Sequence, residues 1–381
     1  MIYLDNSATT RCSDGAMQMM QRVLQEDFGN PSSLHQFGAK GKSYRDEARE
    51  KIAKTLKVDS KEIYFTSGGT EGNNLAIIGG AEAMKRRGNH IITTIIEHAS
   101  VANPMKYLEK QGFDVTYLST DEYGVVRLED VKNALRKETI LVSIMMVNNE
   151  IGSVQPIEEI GKLVKANNPE TLFHVDAIQA YGKFEIRPKK MNIDLLTVSG
   201  HKIHGPKGSG FIYIKDKIRV VPQILGGGQE KGMRSGTENV PAIAGLGVAA
   251  KEAYDNLELN RNHMYELRNR FIEGLSNIDN IKVNGHLDNS NAPHIVSVSV
   301  NNKIFQAQSM LNKLELDYGI LVSAGSACSS NKPAISETLK AIGVEKDLLN
   351  RTIRFSFCPE NTIEEIDTAI EAMKDVAVSM K

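Results

Sequence analysis

The chemistry legible in this chain begins with a lysine. Lys202 closes the run Asp194-Leu-Leu-Thr-Val-Ser199-Gly200-His201-Lys202. There a buried-type strand leads through Ser-Gly to an amine near the strand's carboxyl end, where open α/β sheets bind ligands. An amine so placed forms an imine once its surroundings favour the neutral form. Read alone, Lys202 is more simply a solvated loop lysine. A second such strand ends in His174-Val-Asp176-Ala-Ile-Gln179. Its carboxylate either pairs with a protonated pyridine nitrogen, keeping the ring an electron sink, or caps the helix that follows. Lysine and aspartate on separate strand ends, with Gln179 alongside, favour the chemical reading of each.

Other segments fit around this pair. Thr66-Ser-Gly-Gly69-Thr70-Glu-Gly-Asn73 joins a strand to a helix; its glycines let backbone approach an anion, and the helix start offers free N–H groups and a favourable dipole. The alternative is a plain turn with Thr70 as N-cap. Neither a G-x-x-x-x-G-K-[ST] nor a G-x-G-x-x-G run occurs, so nucleotide readings lose support. His98, closing a strand in Ile95-Ile-Glu97-His98, suits stacking on an aromatic ring or proton transfer, or else a structural hydrogen bond. His201 and His204 are followed by Gly205-Pro206, which argues against metal ligation from one helical turn. In Ser323-Ala-Gly-Ser-Ala-Cys328-Ser-Ser-Asn331 small residues surround one thiol. Such a run packs little, which suits a travelling nucleophile towards sulfur, although most free cysteines are simply buried. The long glycine-rich loop 226–239 ends near Arg234 and Thr237. Arg354, within Thr352-Ile-Arg354-Phe-Ser-Phe, suits a bidentate grip on a carboxylate or, equally, an exposed edge strand.

The elements that must position these residues follow an alternating pattern. Apolar strand candidates at 62–66, 90–95, 113–118, 139–147, 171–175, 193–198 and 210–214 are separated by helical stretches. One of these is 45–56, with Ala48, Ile52 and Leu56 at helical spacing. This predicts an α/β fold with a mainly parallel sheet covered on both faces. After Val240 a long helical stretch follows, with Leu267, Phe271 and Leu275 four apart, then a strand at 294–300. A final helix is marked by the capping box Thr362/Glu365 and the stripe Ile363, Ile366, Ile370 and Met373. Two domains are expected: a large one at 14–255, and a smaller α+β one formed by 1–13 and 256–381, carrying a cysteine loop at about 321–334.

Bulk properties exclude rather than select. The 381 residues, 41% apolar and 24% charged with a net charge of -1, carry no electrostatic argument for nucleic acid or an anionic membrane. Cys12, Cys328 and Cys358 are too scattered for a disulfide framework and form no C-x-x-C pair. The start lacks a basic stretch followed by an apolar one, and no apolar run approaches the ~20 residues that span a bilayer. The expectation is a cytoplasmic protein.

These residues, in this order, resemble the cysteine desulfurases of the NifS and IscS type, a branch of the class V aminotransferase-like pyridoxal-phosphate (PLP) enzymes. The likeness runs from Tyr3-Leu-Asp-Asn through Asn30-Pro-Ser-Ser-Leu-His35, Val147-Asn-Asn149-Glu-Ile-Gly152, Gly-Met-Arg-Ser-Gly-Thr237 and Ser326-Ala-Cys-Ser329 to Ile353-Arg-Phe-Ser356. It implies fold type I, with a mainly parallel seven-stranded sheet in the large domain. It also implies Lys202, Cys328 and His98 as catalytic residues: Lys202 holds PLP as a Schiff base, Cys328 accepts sulfur from L-cysteine, and His98 stacks on the ring and carries protons. Asp176 is implied as pyridinium partner, Asn149 and Gln179 as contacts of the phenolic oxygen, and Gly69, Thr70, Ser199 and His201 as phosphate ligands. Thr237 is implied as a phosphate contact donated across a homodimer, and Arg354, beside Asn149, as the substrate-carboxylate site. No metal is expected beyond transient iron–sulfur ligation by Cys328. The products would be L-alanine and a persulfide bound for acceptors such as an iron–sulfur scaffold or tRNA thiolation. Rival readings are a transaminase or selenocysteine lyase on the same fold, or a non-enzymatic sulfur or iron–sulfur scaffold. Ser7, where alanine is frequent, Ala324, where serine is frequent, and Cys358 depart from the family pattern.

Overall fold

The structure, a computed structural model, describes residues 1–301, 306–324 and 336–378. Cys328 and its neighbours 326–329 lie outside the described residues. The chain opens with β1 (Ile2–Tyr3), α1 (Asp14–Gln25) and α2 (Gln36–Leu56). β2 (Ile63–Thr66) leads into α3 (Gly69–Asn74), which continues through the π-helical turn Leu75–Gly79 into α4 (Gly80–Met84). Strand and helix then alternate through β3 (His90–Thr94), α5 (Ala99–Lys110), β4 (Asp114–Leu118), α6 (Leu128–Ala134), β5 (Thr139–Met145), α7 (Ile157–Asn167) and β6 (Leu172–Asp176), followed by β7 (Leu195–Ser199) and β8 (Gly210–Ile214). Beyond the glycine-rich loop come α8 (Val240–Asp255), α9 (Leu257–Ser276), β9 (Ile281–Asn284), β10 (Ile295–Val300), α10 (Ala307–Tyr318), β11 (Ile320–Leu321), β12 (Ser323–Ala324), α11 (Glu337–Ala341), β13 (Thr352–Ser356) and α12 (Ile363–Val378).

Among the described residues, strands β2–β8 form a seven-stranded sheet in the order β2-β8-β7-β6-β5-β3-β4. Only β8 runs against its neighbours β2 and β7; the other pairs are parallel. The seven predicted strands are these seven. Their period-2 alternation divides the core between two faces. Phe173, Val175, Leu196, Val198, Phe211 and Tyr213 pack on one face, and Leu172, Leu195, Ile212 and Ile214 on the other. α2 is longer than predicted, although its stripe Ala48, Ile52 and Leu56 is buried as expected.

The long helical stretch after Val240 is interrupted. Asn256 (φ -114, ψ 18) leaves the helical region and separates α8 from α9. Leu267, Phe271 and Leu275 enter a second core with Leu4, β10, β13 and α12. That core lies under a four-stranded sheet, β12-β13-β10-β9. The capping box of α12 forms as predicted: Glu365 Oε2 accepts from Thr362 N at 3.2 Å, and Thr362 Oγ1 from Glu365 N at 3.3 Å. β1 pairs with β11, tying the N-terminal segment to this half of the molecule. No helix among the described residues is long and apolar enough to cross a membrane.

Candidate active site

Strands β4 and β5 lie on opposite sides of β3, so the chain reverses its winding there and opens a crevice at the strands' carboxyl ends. A cavity of about 280 Å³ occupies that crevice. Asp176 reaches it from the end of β6, Ser199 from β7, and His201 and Lys202 from the 3-10 turn that follows. Gln179 enters from the turn after β6, Asn149 from the turn after β5, and Gly69 and Thr70 from the start of α3. His98 and Arg354 line it as well. Thr237 is exposed and does not line the cavity.

Helix α3 sits unusually close to the sheet. A Cβ on Gly69 would lie 2.1 Å from Ile178 Cδ1, and one on Gly72 would lie 2.6 Å from Thr197 Cγ2. Glycine at both positions therefore lets the helix press its N-terminus against the strand ends. The N-cap is Gly68, with φ 149 and no side-chain bond; Thr70 is not the cap and its hydroxyl is left for the cavity rim. Arg234 fixes the same turn, donating to Glu71 Oε1 at 2.9 Å and Oε2 at 3.3 Å.

His98 does not close a strand. β3 ends at Thr94, whose hydroxyl accepts from Ile96 N and donates to Glu97 Oε1 at 2.8 Å, turning the chain out of the sheet. His98 is the N-cap of α5: its Nδ1 accepts from Ser100 N at 3.1 Å, so in the neutral ring Nε2 carries the hydrogen. Ser100 and Asn73, neither singled out from the sequence, connect His98 to Asp176. Ser100 Oγ lies 2.8 Å from His98 Nδ1, and Asn73 Nδ2 donates to Ser100 Oγ at 2.9 Å and to Asp176 Oδ2 at 2.8 Å. Asn148 is a further positioning residue. It donates to Ile96 O at 3.0 Å and accepts from Glu150 N and Ile151 N, joining the turns that carry His98 and Asn149.

Burial sets the electrostatics of the site. Burial pushes the Asp176 carboxyl up, against the hydrogen bonds from Ile178 N and Asn73. One layer deeper, His174 bridges Ser143 Oγ at 2.8 Å and Thr197 Oγ1 at 3.1 Å, and burial drives it down to about 3, leaving a neutral row beneath Asp176. Lys202 Nζ donates to Ala8 O at 2.7 Å and to Ser7 O. Behind it Lys183 Nζ donates to Lys202 O at 2.5 Å; burial, with the Lys202 charge second, lowers that amine to about 7. Arg354 is 2% exposed on an interior strand, which removes the edge-strand alternative. Its Nη1 donates to Asn149 O at 2.8 Å and its Nη2 to Asp5 Oδ1 at 3.0 Å.

A fold of alternating strands and helices, with a lysine, a buried aspartate and an anion-ready helix start in one crevice, defines a class, and comparison identifies it. The class V aminotransferase family model matches residues 2–368, and the chain belongs to that family. It is 43% identical over 380 residues to the cysteine desulfurase IscS of Methanosarcina thermophila, covering 100% of this chain and 93% of that one. Among solved structures it is similar to a NifS-like protein (TM-score 0.93, 39% identity, 99% of each chain). It is also similar to SspA in complex with cysteine (TM-score 0.81, 36% identity, 95% of this chain and 100% of that one).

The family is PLP-dependent, and the cavity fits that cofactor on its own chemistry. Burial raises the Asp176 carboxyl more than Ile178 N, Asn73 and the charges of His98 and Lys202 lower it, and a protonated ring nitrogen beside it would favour its charged form. The α3 start with Thr70, and Ser199 and His201 across from it, offer N–H and O–H donors for a phosphate. Lys202, on the same wall, would take the aldehyde. The buried Ser7 Oγ, on the same wall, has no partner among the described residues.

Proposed function

We propose that this protein is a PLP-dependent cysteine desulfurase that converts L-cysteine to L-alanine and moves the sulfur to Cys328. The observation that carries the reading is the convergence of Lys202, Asp176, Gln179 and Arg354 on one cavity. The choice of cysteine as substrate is supported by relatives of 41–45% identity named cysteine desulfurase and by the cysteine complex of the SspA structure.

Bound PLP supplies an electron sink that weakens the bonds at the substrate's α-carbon. Gly69, Thr70, Ser199 and His201 hold the phosphate, Asp176 holds the positive charge of the ring nitrogen, and Asn149 and Gln179 contact the phenolic oxygen. Arg354 receives the substrate carboxylate in a charge-assisted pair of the kind it now makes with Asp5. Lys202 would hold the cofactor and, as a neutral amine, would take the substrate's α-proton. His98, which lines the same cavity with Nδ1 held by Ser100, would stack on the ring and carry protons. The Cys328 thiolate attacks the substrate sulfur: an S–S bond forms, the Cβ–S bond breaks, and its electron pair stays with the carbon skeleton, which leaves as alanine after protonation.

Around this site we place a large domain at 14–255 and a small one at 1–13 and 256–381, a cytoplasmic location, and a homodimer in which Thr237 reaches the partner's phosphate site. The dimer reading is supported by exposed apolar side chains at Leu24, Phe28, Leu34, Phe37 and Leu225, which a partner would cover. Persulfide sulfur then passes to acceptor proteins such as an iron–sulfur scaffold.

Borohydride reduction and peptide mapping test the assignment. The cofactor is expected on Lys202, and Cys328→Ala is expected to remain yellow while losing sulfide release from cysteine. A label elsewhere, or sulfide release that survives the substitution, overturns it.

A further inference from the structure

Gln179 is held from behind by a residue that does not touch the cofactor cavity. His294, just before β10 and 1% exposed, lies with Nε2 3.2 Å from Gln179 Oε1. The other end of the amide, Gln179 Nε2, donates to Ser7 O at 3.0 Å, the same carbonyl that accepts from Lys202. These two contacts fix the amide. Turned over, it would set Oε1 against the Ser7 carbonyl oxygen, which can only accept.

The tautomer follows from the same contacts. Gln179 Oε1 can only accept, so His294 Nε2 carries a hydrogen. His294 Nδ1 has no hydrogen-bond partner among the described residues. Burial, and then the charges of Lys183, Arg354 and Lys202, hold the ring neutral, so its single N–H is the one given to Gln179. His294 lines a separate cavity of about 310 Å³, on the side of Lys202 where Lys183 and Cys358 lie. It is absent from the wall of the cofactor cavity and acts there only through Gln179.

We propose that His294 is a positioning residue: its N–H locks the Gln179 amide so that Gln179 presents a hydrogen-bond donor, never an acceptor, to the phenolic oxygen of the bound cofactor. The inference rests on the reading of Gln179 as that oxygen's contact. A donor there stabilises the anionic oxygen and lowers affinity for the proton whose loss changes the cofactor's visible absorbance.

The test is a pH titration of that absorbance in holoenzyme variants. His294→Leu, which cannot donate, is expected to bind the proton about tenfold more tightly, moving the titration up by about one pH unit. His294→Gln, whose amide nitrogen reaches about as far as Nε2, is expected to restore the parent value. A His294→Leu titration equal to the parent's, or a His294→Gln shift as large as that of His294→Leu, overturns the proposal. Gln179→Leu separates the two readings. If it moves the titration and His294→Leu does not, only the role of His294 falls; if it moves nothing, both readings fall. A measurement on the parent holoenzyme needs no variant: ¹⁵N shifts of labelled histidine should show His294 protonated at Nε2, bare at Nδ1 and unchanged from about pH 6 to 9. A ring protonated at Nδ1, or one that titrates in that range, contradicts the proposal.

Discussion

Arg354 and Glu97 show two ways in which a buried charge is managed near the crevice. Arg354 has its charge matched by Asp5 and also donates to Asn149 O, and its planar fork can take a carboxylate with two parallel bonds. A lysine has the charge without the fork. Arg354→Lys is therefore expected to raise KM for cysteine about tenfold or more with cofactor affinity unchanged, as steady-state kinetics and PLP titration will report. Glu97 instead gives up its charge. Burial pushes it up to about 8 from 4.5, against the hydrogen bonds from Met145 N and Thr94, and its Oε2 has no partner among the described residues. Between those two values the folded chain holds a proton that the unfolded chain has released. The contribution to stability is thus complete below the lower value and is lost as pH rises towards the upper one. Glu97→Gln keeps the accepting oxygen and never ionises. Its stability advantage over the parent should grow by about 3 kcal/mol between about pH 5 and pH 7.5, measured from urea midpoints. Lys202, Asp176 and Gln179 were legible in the sequence because each follows an apolar strand. Asn73, Ser100, Asn148, His174 and His294 were not: each has at least one partner far along the chain, and their residue types are ordinary in turns and helices.

At the scale of elements, the α3 start is the part most sensitive to packing. Gly72 faces Thr197 with no room for a methyl group, so Gly72→Ala must lift the helix from the sheet. Overpacking of this kind costs about 1–3 kcal/mol. Because the same turn carries Gly69 and Thr70, PLP affinity is expected to fall about tenfold or more, read by fluorescence titration. An unchanged affinity would mean that α3 does not set the phosphate site. The strands of the large sheet were legible because burial on both faces makes them continuous apolar runs. The end of β3 was not, because Ile95 and Ile96 prolong the apolar run while the Thr94 hydroxyl, invisible to periodicity, turns the chain. The break at Asn256 was likewise hidden within a sequence helical on both sides.

At the scale of the molecule, the proposal has a second copy complete the site. Thr237 is exposed, apart from the cavity of its own chain, so a role at the phosphate requires a partner. The holoenzyme is expected at twice 42.0 kDa by light scattering. Thr237→Ala should weaken PLP binding about threefold to tenfold without changing that mass. A monomeric holoenzyme, or unaltered binding in the variant, would remove Thr237 from the site. The fold and the cofactor chemistry are carried by the described residues, whereas the reaction itself is assigned to Cys328. The measurement that bears most directly on the account is the product balance with L-cysteine and a thiol reductant. The account predicts one L-alanine for each sulfide released, with both lost in Cys328→Ala; cysteine consumed without alanine would contradict it.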